Sequence, residues 1–297
     1  WPARTVSYID PFPVGGATDL LSRLFCAKAS ELSGQRFAVE NLPGNAGTLG
    51  QAAIAAAEPD GHTLGLGSVA SLAVAPSAHP TLPYDPAHDF TFVSGLWRVP
   101  NVLICDRHLP VRSVPELVAL LKREPGRYTY AADEPGTTPH LAIELFKRVA
   151  GVEVGPVPDR GGAKAILDLL RGRVQIMIHN LPTAIVGVRE REVRALAVTG
   201  AERSPAMPEV PAMAEFYPEF DVTSWGSLVG PAGLPPRVVE RLSRLTRQAL
   251  DSPDLIETFH WHGATAWWTT PEDLANFRAR QETLFAELVL ASGVGVH

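Results

Sequence analysis

Paired glycines and hydroxyl residues, set where apolar runs change period, carry most of the chemical potential of this chain. Pro11-Phe12-Pro13-Val14-Gly15-Gly16-Ala17-Thr18-Asp19 follows a strand-like run and opens a helical one. Glycines let backbone N–H groups approach a ligand closely, and a helix N-terminus favours negative charge, so this turn suits an anion. Its candidate contacts are Phe12, Val14, Gly15, Gly16, Ala17 and Thr18. The same residues also read as a plain strand-to-helix turn with Asp19 serving the helix dipole. A second turn, Asn45-Ala46-Gly47-Thr48, precedes another helical run, and a third, Gly67-Ser68-Val69-Ala70-Ser71, follows a strand. Three such turns at one sheet edge would converge on one spot, which makes Asn45, Gly67, Ser68 and Ser71 further candidates.

The middle of the chain repeats the arrangement. Asp133 to His140 holds Gly136, Thr137, Thr138 and His140 between a strand and a helix, a set that suits a carboxylate or contains only a cap at Thr137. Arg160-Gly161-Gly162 places a guanidinium beside free N–H groups, as an anion site or as an ordinary surface arginine. Catalytic patterns are thin. No GxSxG elbow exists, and His260-Trp261-His262 has no nearby carboxylate or cysteine to complete a metal site. Gly65-Leu66-Gly67-Ser68-Val69-Ala70 fits GxGxxA. Its expected acid would fall at Asp85 or Asp89, in a proline-rich turn rather than at a strand end. No cofactor, metal or catalytic constellation is expected.

The elements that must hold these turns alternate. Strands are expected at Thr5–Ile9, Arg36–Glu40, Thr63–Gly67, Asn101–Cys105, Tyr128–Ala131, Glu153–Val157, Val174–Ile178, Ala195–Val198, Val222–Leu228 and Ala264–Trp268. Helices are expected between them, among them Ala17–Ser33 closed by Gly34 and a helix capped by Ser113. The pattern predicts an α/β fold of mainly parallel sheets flanked by helices. With roughly 150 residues per domain, 297 residues predict two domains. No linker divides them, so the chain is expected to cross at Asn101–Cys105 and Ser224–Leu228, forming a hinge and a cleft.

Composition excludes other classes. Net charge is −6 and no basic patch is visible, so no nucleic-acid partner is expected. No run of 18 apolar residues exists to span a membrane as a helix. Cys26 and Cys105 make no CxxC pair and read as free, buried thiols. The chain opens almost directly on a strand-like run at Thr5, so a removed leader or a trimmed start is expected before Trp1.

Taken in order, the motifs resemble the Bug family, periplasmic solute-binding proteins of tripartite tricarboxylate transporters. The resemblance rests on Pro11-Phe12-Pro13-x-Gly15-Gly16-x-x-Asp19, Val39-Glu40-Asn41-x-Pro43-Gly44, Pro59-Asp60-Gly61-x-Thr63-Leu64 and Leu82-Pro83-Tyr84-Asp85-Pro86-x-x-Asp89-Phe90. It continues through Val99-Pro100-Asn101-Val102-Leu103, Gly136-Thr137-x-x-His140-Leu141, Asn180-Leu181-Pro182, Arg194-Ala195-Leu196-Ala197-Val198-Thr199 and Ser224-Trp225. It implies a two-domain Venus-flytrap fold of type II. Residues 1–102 and 226–297 would anchor a carboxylate, residues 103–225 would select the rest of the ligand, and the hinge would lie near 101–105 and 222–228. It further implies that the Gly15–Gly16 and Gly67–Ser71 loops hold the carboxylate through backbone N–H groups. His179 and Asn180 join the loops at Asp133–His140 and Arg160–Gly162 in selection. The implied partners are a small carboxylate (a di- or tricarboxylate, an amino acid or an amide-bearing acid) and the transporter's membrane subunits, for a monomeric, periplasmic receptor. A ligand sensor for a signalling partner and a soluble α/β enzyme are the alternatives.

The chain departs from the family pattern in the selecting part. Asp159-Arg160-Gly161 replaces Tyr-Lys-Gly, His179 replaces Asp, and Asp133-Glu134-Pro135-Gly136 replaces Ala-Gly-Asn-Gly. Like charges a few Å apart repel by about 1–4 kcal/mol, depending on the local dielectric. The acids therefore predict a ligand with one carboxylate and a cationic or amide group.

Overall fold

The computed structural model describes residues 1–79, 81–131, 134–157 and 163–292. In chain order the elements begin β1 (Val6–Asp10), α1 (Ala17–Ser33), β2 (Phe37–Asn41), α2 (Thr48–Ala55) and β3 (Thr63–Ser68). A π-helical turn over Ala70–Val74 leads into α3 (Ala75–Ala78), followed by β4 (Phe90–Asp106), α4 (Val114–Arg123), β5 (Thr129–Ala131) and α5 (Thr138–Ala150). Then come β6 (Gly155–Val157), α6 (Ala163–Leu170), β7 (Ile176–Asn180), α7 (Leu181–Arg189) and β8 (Val193–Val198). The chain closes with β9 (Thr223–Pro231), α8 (Pro236–Leu250), α9 (Pro253–Trp261), β10 (Thr265–Ala266) and α10 (Pro271–Ser292).

Local signals account for many of these boundaries. In α1, Leu21, Phe25, Cys26 and Ala29 fall on one buried face, and Gly34 ends the helix at φ 69° with its N–H on the Ser30 carbonyl. In α4, Ser113 accepts the Glu116 N–H at 3.3 Å, with proline in the first turn.

Two sheets share the long strand β4. The first runs β2-β1-β3-β9-β4, with β10 also on β4; in the second, β7 and β8 pair with the C-terminal part of β4, and β5 and β6 extend from β7. The two sheets and their helices form two lobes. The pairing is mixed rather than mainly parallel. β2-β1-β3 and β7-β5-β6 are parallel, whereas every pairing of β4 and β9 is antiparallel. The reason is connectivity. β4 carries the chain out of the first sheet and β9 returns it alongside, with Pro100 opposite Thr223, so the two must run in opposite directions.

β4 is also longer than its recognisable part. Asn101–Cys105 reads as a strand, but the strand begins at Phe90. Register shifts between Phe92 and Ser94 and between Gly95 and Trp97 break the period-2 alternation there.

Separate cores stabilise the lobes. Tyr8, Phe25, Trp97, Leu242 and Phe259 pack together under α1, α8 and α9. Ile104, Met177, Leu181 and Ile185 pack under α7. A further cluster joins Leu72 and Val229 of the first lobe to Leu103, Leu141 and Phe146 of the second, through Phe285 and Val289 of α10. The C-terminal helix therefore packs on both lobes. Cys26 and Cys105 are free and buried in different clusters, so they do not meet.

Candidate functional site

A cavity of about 480 Å³ lies between the lobes. Its first-lobe wall is the β1–α1 turn, through Phe12, Pro13, Val14, Gly16, Ala17 and Thr18, together with Ser68, Val69 and Ala70 after β3. Its second-lobe wall is Glu134, Thr137, Thr138 and Pro139 at the start of α5, and His179 and Asn180 at the start of α7. Ser224 of β9 completes it at the crossing.

The β1–α1 turn is held from behind. Asp19 accepts the Gly15 N–H at 3.0 Å and the Asn41 side-chain amide at 3.0 Å, and pairs with Arg23 at 2.8 Å. Burial opposes ionisation of Asp19, but the Arg23, Gly15 and Asn41 hydrogen bonds outweigh it and hold the carboxyl below its ordinary range. Asn41 also donates to the Phe12 carbonyl at 3.0 Å. Beneath the turn, fully buried Asp10 accepts the Phe12 N–H at 3.0 Å and the Ser22 hydroxyl at 2.9 Å. Burial pushes its carboxyl up to about 7.

The cavity faces include the starts of helices, where the first backbone N–H groups have no partner within the helix. Gly16, Thr137 and Asn180 stand at the N-cap positions of α1, α5 and α7, and none of them caps its helix with its side chain. The Thr137 hydroxyl donates instead to the Glu134 carbonyl at 2.8 Å, and the Asn180 amide to the Asn101 side-chain carbonyl at 2.7 Å. The turn after β3 starts a π-helical segment at Ala70, an irregularity frequent at functional sites. Ser68 and Ser71 bond each other's N–H groups at 3.2 Å, and Ser71 donates to buried Gln51 at 2.9 Å, which fixes that turn. Helix N-termini carry partial positive charge, so the arrangement suits an anion without any lysine or arginine among the described lining residues.

Of the residues singled out in the sequence, Phe12, Val14, Gly16, Ala17, Thr18, Ser68, Thr137, Thr138, His179 and Asn180 line this cavity. Gly15, Asn45, Gly67, Ser71, Gly136 and His140 do not. The Gly15 N–H is occupied by Asp19, and Gly67 is packed so that a Cβ would lie 2.4 Å from Leu72. Ser71 supports its turn from below, Gly136 adopts φ 88° within the loop before α5, and the buried Nδ1 of His140 faces no hydrogen-bond partner. Asp133, Arg160 and Gly161 lie outside the described residues. Sequence reasoning did not include Pro13, Val69, Ala70, Glu134, Pro139 or Ser224 among the contacts. Val69 and Ala70 sit inside a turn that was singled out, but aliphatic side chains give no chemical signal. Glu134 was visible as an acid in its loop, and Ser224 as part of the Ser224-Trp225 motif.

Among the described residues, no group of three or more His, Cys, Asp or Glu is placed to hold a metal ion, and no helix is long and apolar enough to cross a membrane.

Two α/β lobes joined by paired crossing strands, with a cavity of helix N-termini between them, define a solute-binding protein of the periplasmic-binding-protein fold. The chain belongs to the tripartite tricarboxylate transporter family receptors, whose family model (TctC) matches residues 21–293. It is 36% identical to protein BugT of Bordetella pertussis over 295 residues, covering 99% of this chain and 90% of BugT. Among solved structures it is similar to an R. palustris protein with adipate, at TM-score 0.95 and 34% identity over 99% of both chains. It is also similar to MatC of Rhodopseudomonas palustris with bound malate, at TM-score 0.88 and 30% identity over 97% of this chain and 100% of that one. The periplasmic binding protein BugD superposes at TM-score 0.93 and 29% identity over 99% of both chains. These relatives are receptors, and the chain is a solute receptor rather than an enzyme.

Proposed function

We propose that this receptor works in the periplasm, closes its lobes on a small carboxylate, and delivers it to the membrane subunits of a tripartite tricarboxylate-type transporter. The observation that carries the reading is the meeting of four N–H-bearing chain segments, two from each lobe, on one cavity. The β1–α1 turn and the turn after β3 would anchor the carboxylate, through Gly16, Ala17, Thr18 and Ser68. Thr137, Thr138, His179 and Asn180 would contact the rest of the ligand. Adipate and malate in the related structures support a carboxylate as the ligand class.

Closure would pivot at 101–105 and 222–228, with residues 1–102 and 226–297 moving against 103–225. Ligand shifts the open–closed equilibrium by its differential affinity for the closed form. The test is a thermal-shift and calorimetric screen of the monomeric protein against mono-, di- and tricarboxylates, amino acids, amide-bearing acids, nucleotides and metal ions. At about 100 times its Kd a ligand adds about 2.7 kcal/mol of stability. Stabilisation by a carboxylate is the expected result. A response confined to nucleotides or metal ions would overturn the reading.

A further inference from the structure

Glu134 is the only carboxylate among the described residues that line the cavity. It does not hang free. Its Oε2 accepts the Ala46 N–H at 2.9 Å, so a second-lobe side chain is anchored on a first-lobe turn 88 residues away in sequence. That turn is unusual. Asn45 and Ala46 are both left-handed, at φ 49° and 51°, between Gly44 at φ 143° and Gly47 at φ 91°. Backbone turns of this kind present N–H groups to an anion, and here the anion is Glu134. The bond uses one carboxylate oxygen. Oε1 accepts no protein hydrogen bond among the described residues. The remaining walls near the β1–α1 and β3 turns include apolar Phe12, Val14, Val69 and Ala70, which suit an uncharged spacer rather than a second ionic group.

We infer that Glu134 reads the end of the ligand remote from its anchoring carboxylate, and selects a hydrogen-bond donor there, a primary amide or an ammonium group, over a second carboxylate. The inference rests on the carboxylate-receptor reading above and names its ligand class. A donor at that end makes a charge-assisted hydrogen bond to Oε1. A second carboxylate sets two anions together with no proton between them, a repulsive element of the kind that creates specificity. The latch to Ala46 makes the discrimination sharper, because Glu134 cannot swing away from an unwelcome anion without giving up a bond that joins the lobes.

The experiment compares isosteric ligands. Calorimetric titration of the wild type and Glu134→Gln uses succinate, glutarate and adipate, each beside its own monoamide, with hexanoate as a control lacking a second polar end. Glutamine keeps a carbonyl oxygen for the Ala46 N–H, removes the charge and replaces the free acceptor by an N–H donor, and circular dichroism verifies that the variant is folded. The wild type is expected to bind the monoamide of the best-fitting length about tenfold or more tighter than the matching dicarboxylate. Glu134→Gln is expected to gain about tenfold for that dicarboxylate while hexanoate is unchanged. A wild type that prefers the dicarboxylate, or a preference that survives in Glu134→Gln, overturns the role of Glu134 and leaves the receptor reading standing. Failure of every carboxylate to bind either folded protein overturns both together.

Discussion

Asn180 donates its side-chain amide to the Asn101 side-chain carbonyl at 2.7 Å, tying the cavity wall to the point where the chain passes between lobes. Asn101 is fully buried and its polar atoms are engaged. The same carbonyl oxygen lies 3.3 Å from the Thr138 hydroxyl, Nδ2 donates to the Val222 carbonyl at 3.1 Å, and the backbone N–H reaches the Thr199 hydroxyl at 3.0 Å. Thr199 in turn donates its hydroxyl to the Val222 carbonyl at 2.7 Å. Two cavity residues and both crossing segments therefore share one buried amide.

Asn101→Ala leaves several of these groups without partners in a buried setting. It is expected to destabilise the protein by about 2–4 kcal/mol and to weaken ligand binding as well. Urea unfolding measures the first effect and titration the second. An unchanged urea midpoint would show that the shared amide does not matter.

Gly16→Val tests the anchoring turn. Gly16 has ordinary extended dihedrals, and a Cβ there would meet only the Pro13 carbonyl at 3.5 Å, so the fold should accept it. The added side chain would stand at the cavity face. Carboxylate affinity is expected to fall at least about 100-fold, a loss of about 2.7 kcal/mol, with little change in melting temperature. Retained affinity in a folded variant would remove Gly16 from the site.

Asp10 gives stability a pH signature. Its folded-state carboxyl titrates at about 7, raised by burial from an ordinary 3.8. Between those values the folded chain keeps a proton that the unfolded chain has released, so stability falls as pH rises from about 4 to about 7 and is flat above. Asp10→Asn removes this contribution and is expected to gain on the wild type by up to about 4 kcal/mol above pH 7. An ionised Asp10 also opposes an anion on the same turn, so carboxylate affinity should decline as pH rises through about 7, where the folded carboxyl ionises, in the wild type only. Unfolding curves at pH 5 and 8 decide it. A wild type and variant with parallel pH profiles would contradict the assignment.

The thiols should be silent in the folded protein. Burial pushes Cys105 up to about 12 and Cys26 well above its ordinary value. A disulfide-exchange reagent at pH 8 is expected to find no reactive thiol in the native chain and two after denaturation. Fast native labelling would mean that one of the cores opens readily.

Much of the anchoring side was legible because its signals are local. The proline and glycine spacing around Phe12 and Gly16, the buried face of α1 and the stop at Gly34 all act within a few residues of themselves. The long strand β4 was legible only after Pro100, since two register shifts erase its alternation over Phe90–Arg98. Within a turn the sequence did not separate a contact from its support. Gly15 and Gly16 look alike as letters, yet one N–H is committed to Asp19 and the other residue faces the cavity.

By itself, then, the sequence determined the α/β alternation, the anion-suited turns and the family, because hydrophobic period, helix starts and motif order are properties of short segments and their sequence along the chain. Only the tertiary structure decided which residues meet. The antiparallel crossing of β4 and β9, the hub at Asn101, the bridging of both lobes by α10 and the Ala46–Glu134 bond depend on where distant segments arrive in space. Those positions come from packing summed over both lobes, and no local pattern records them.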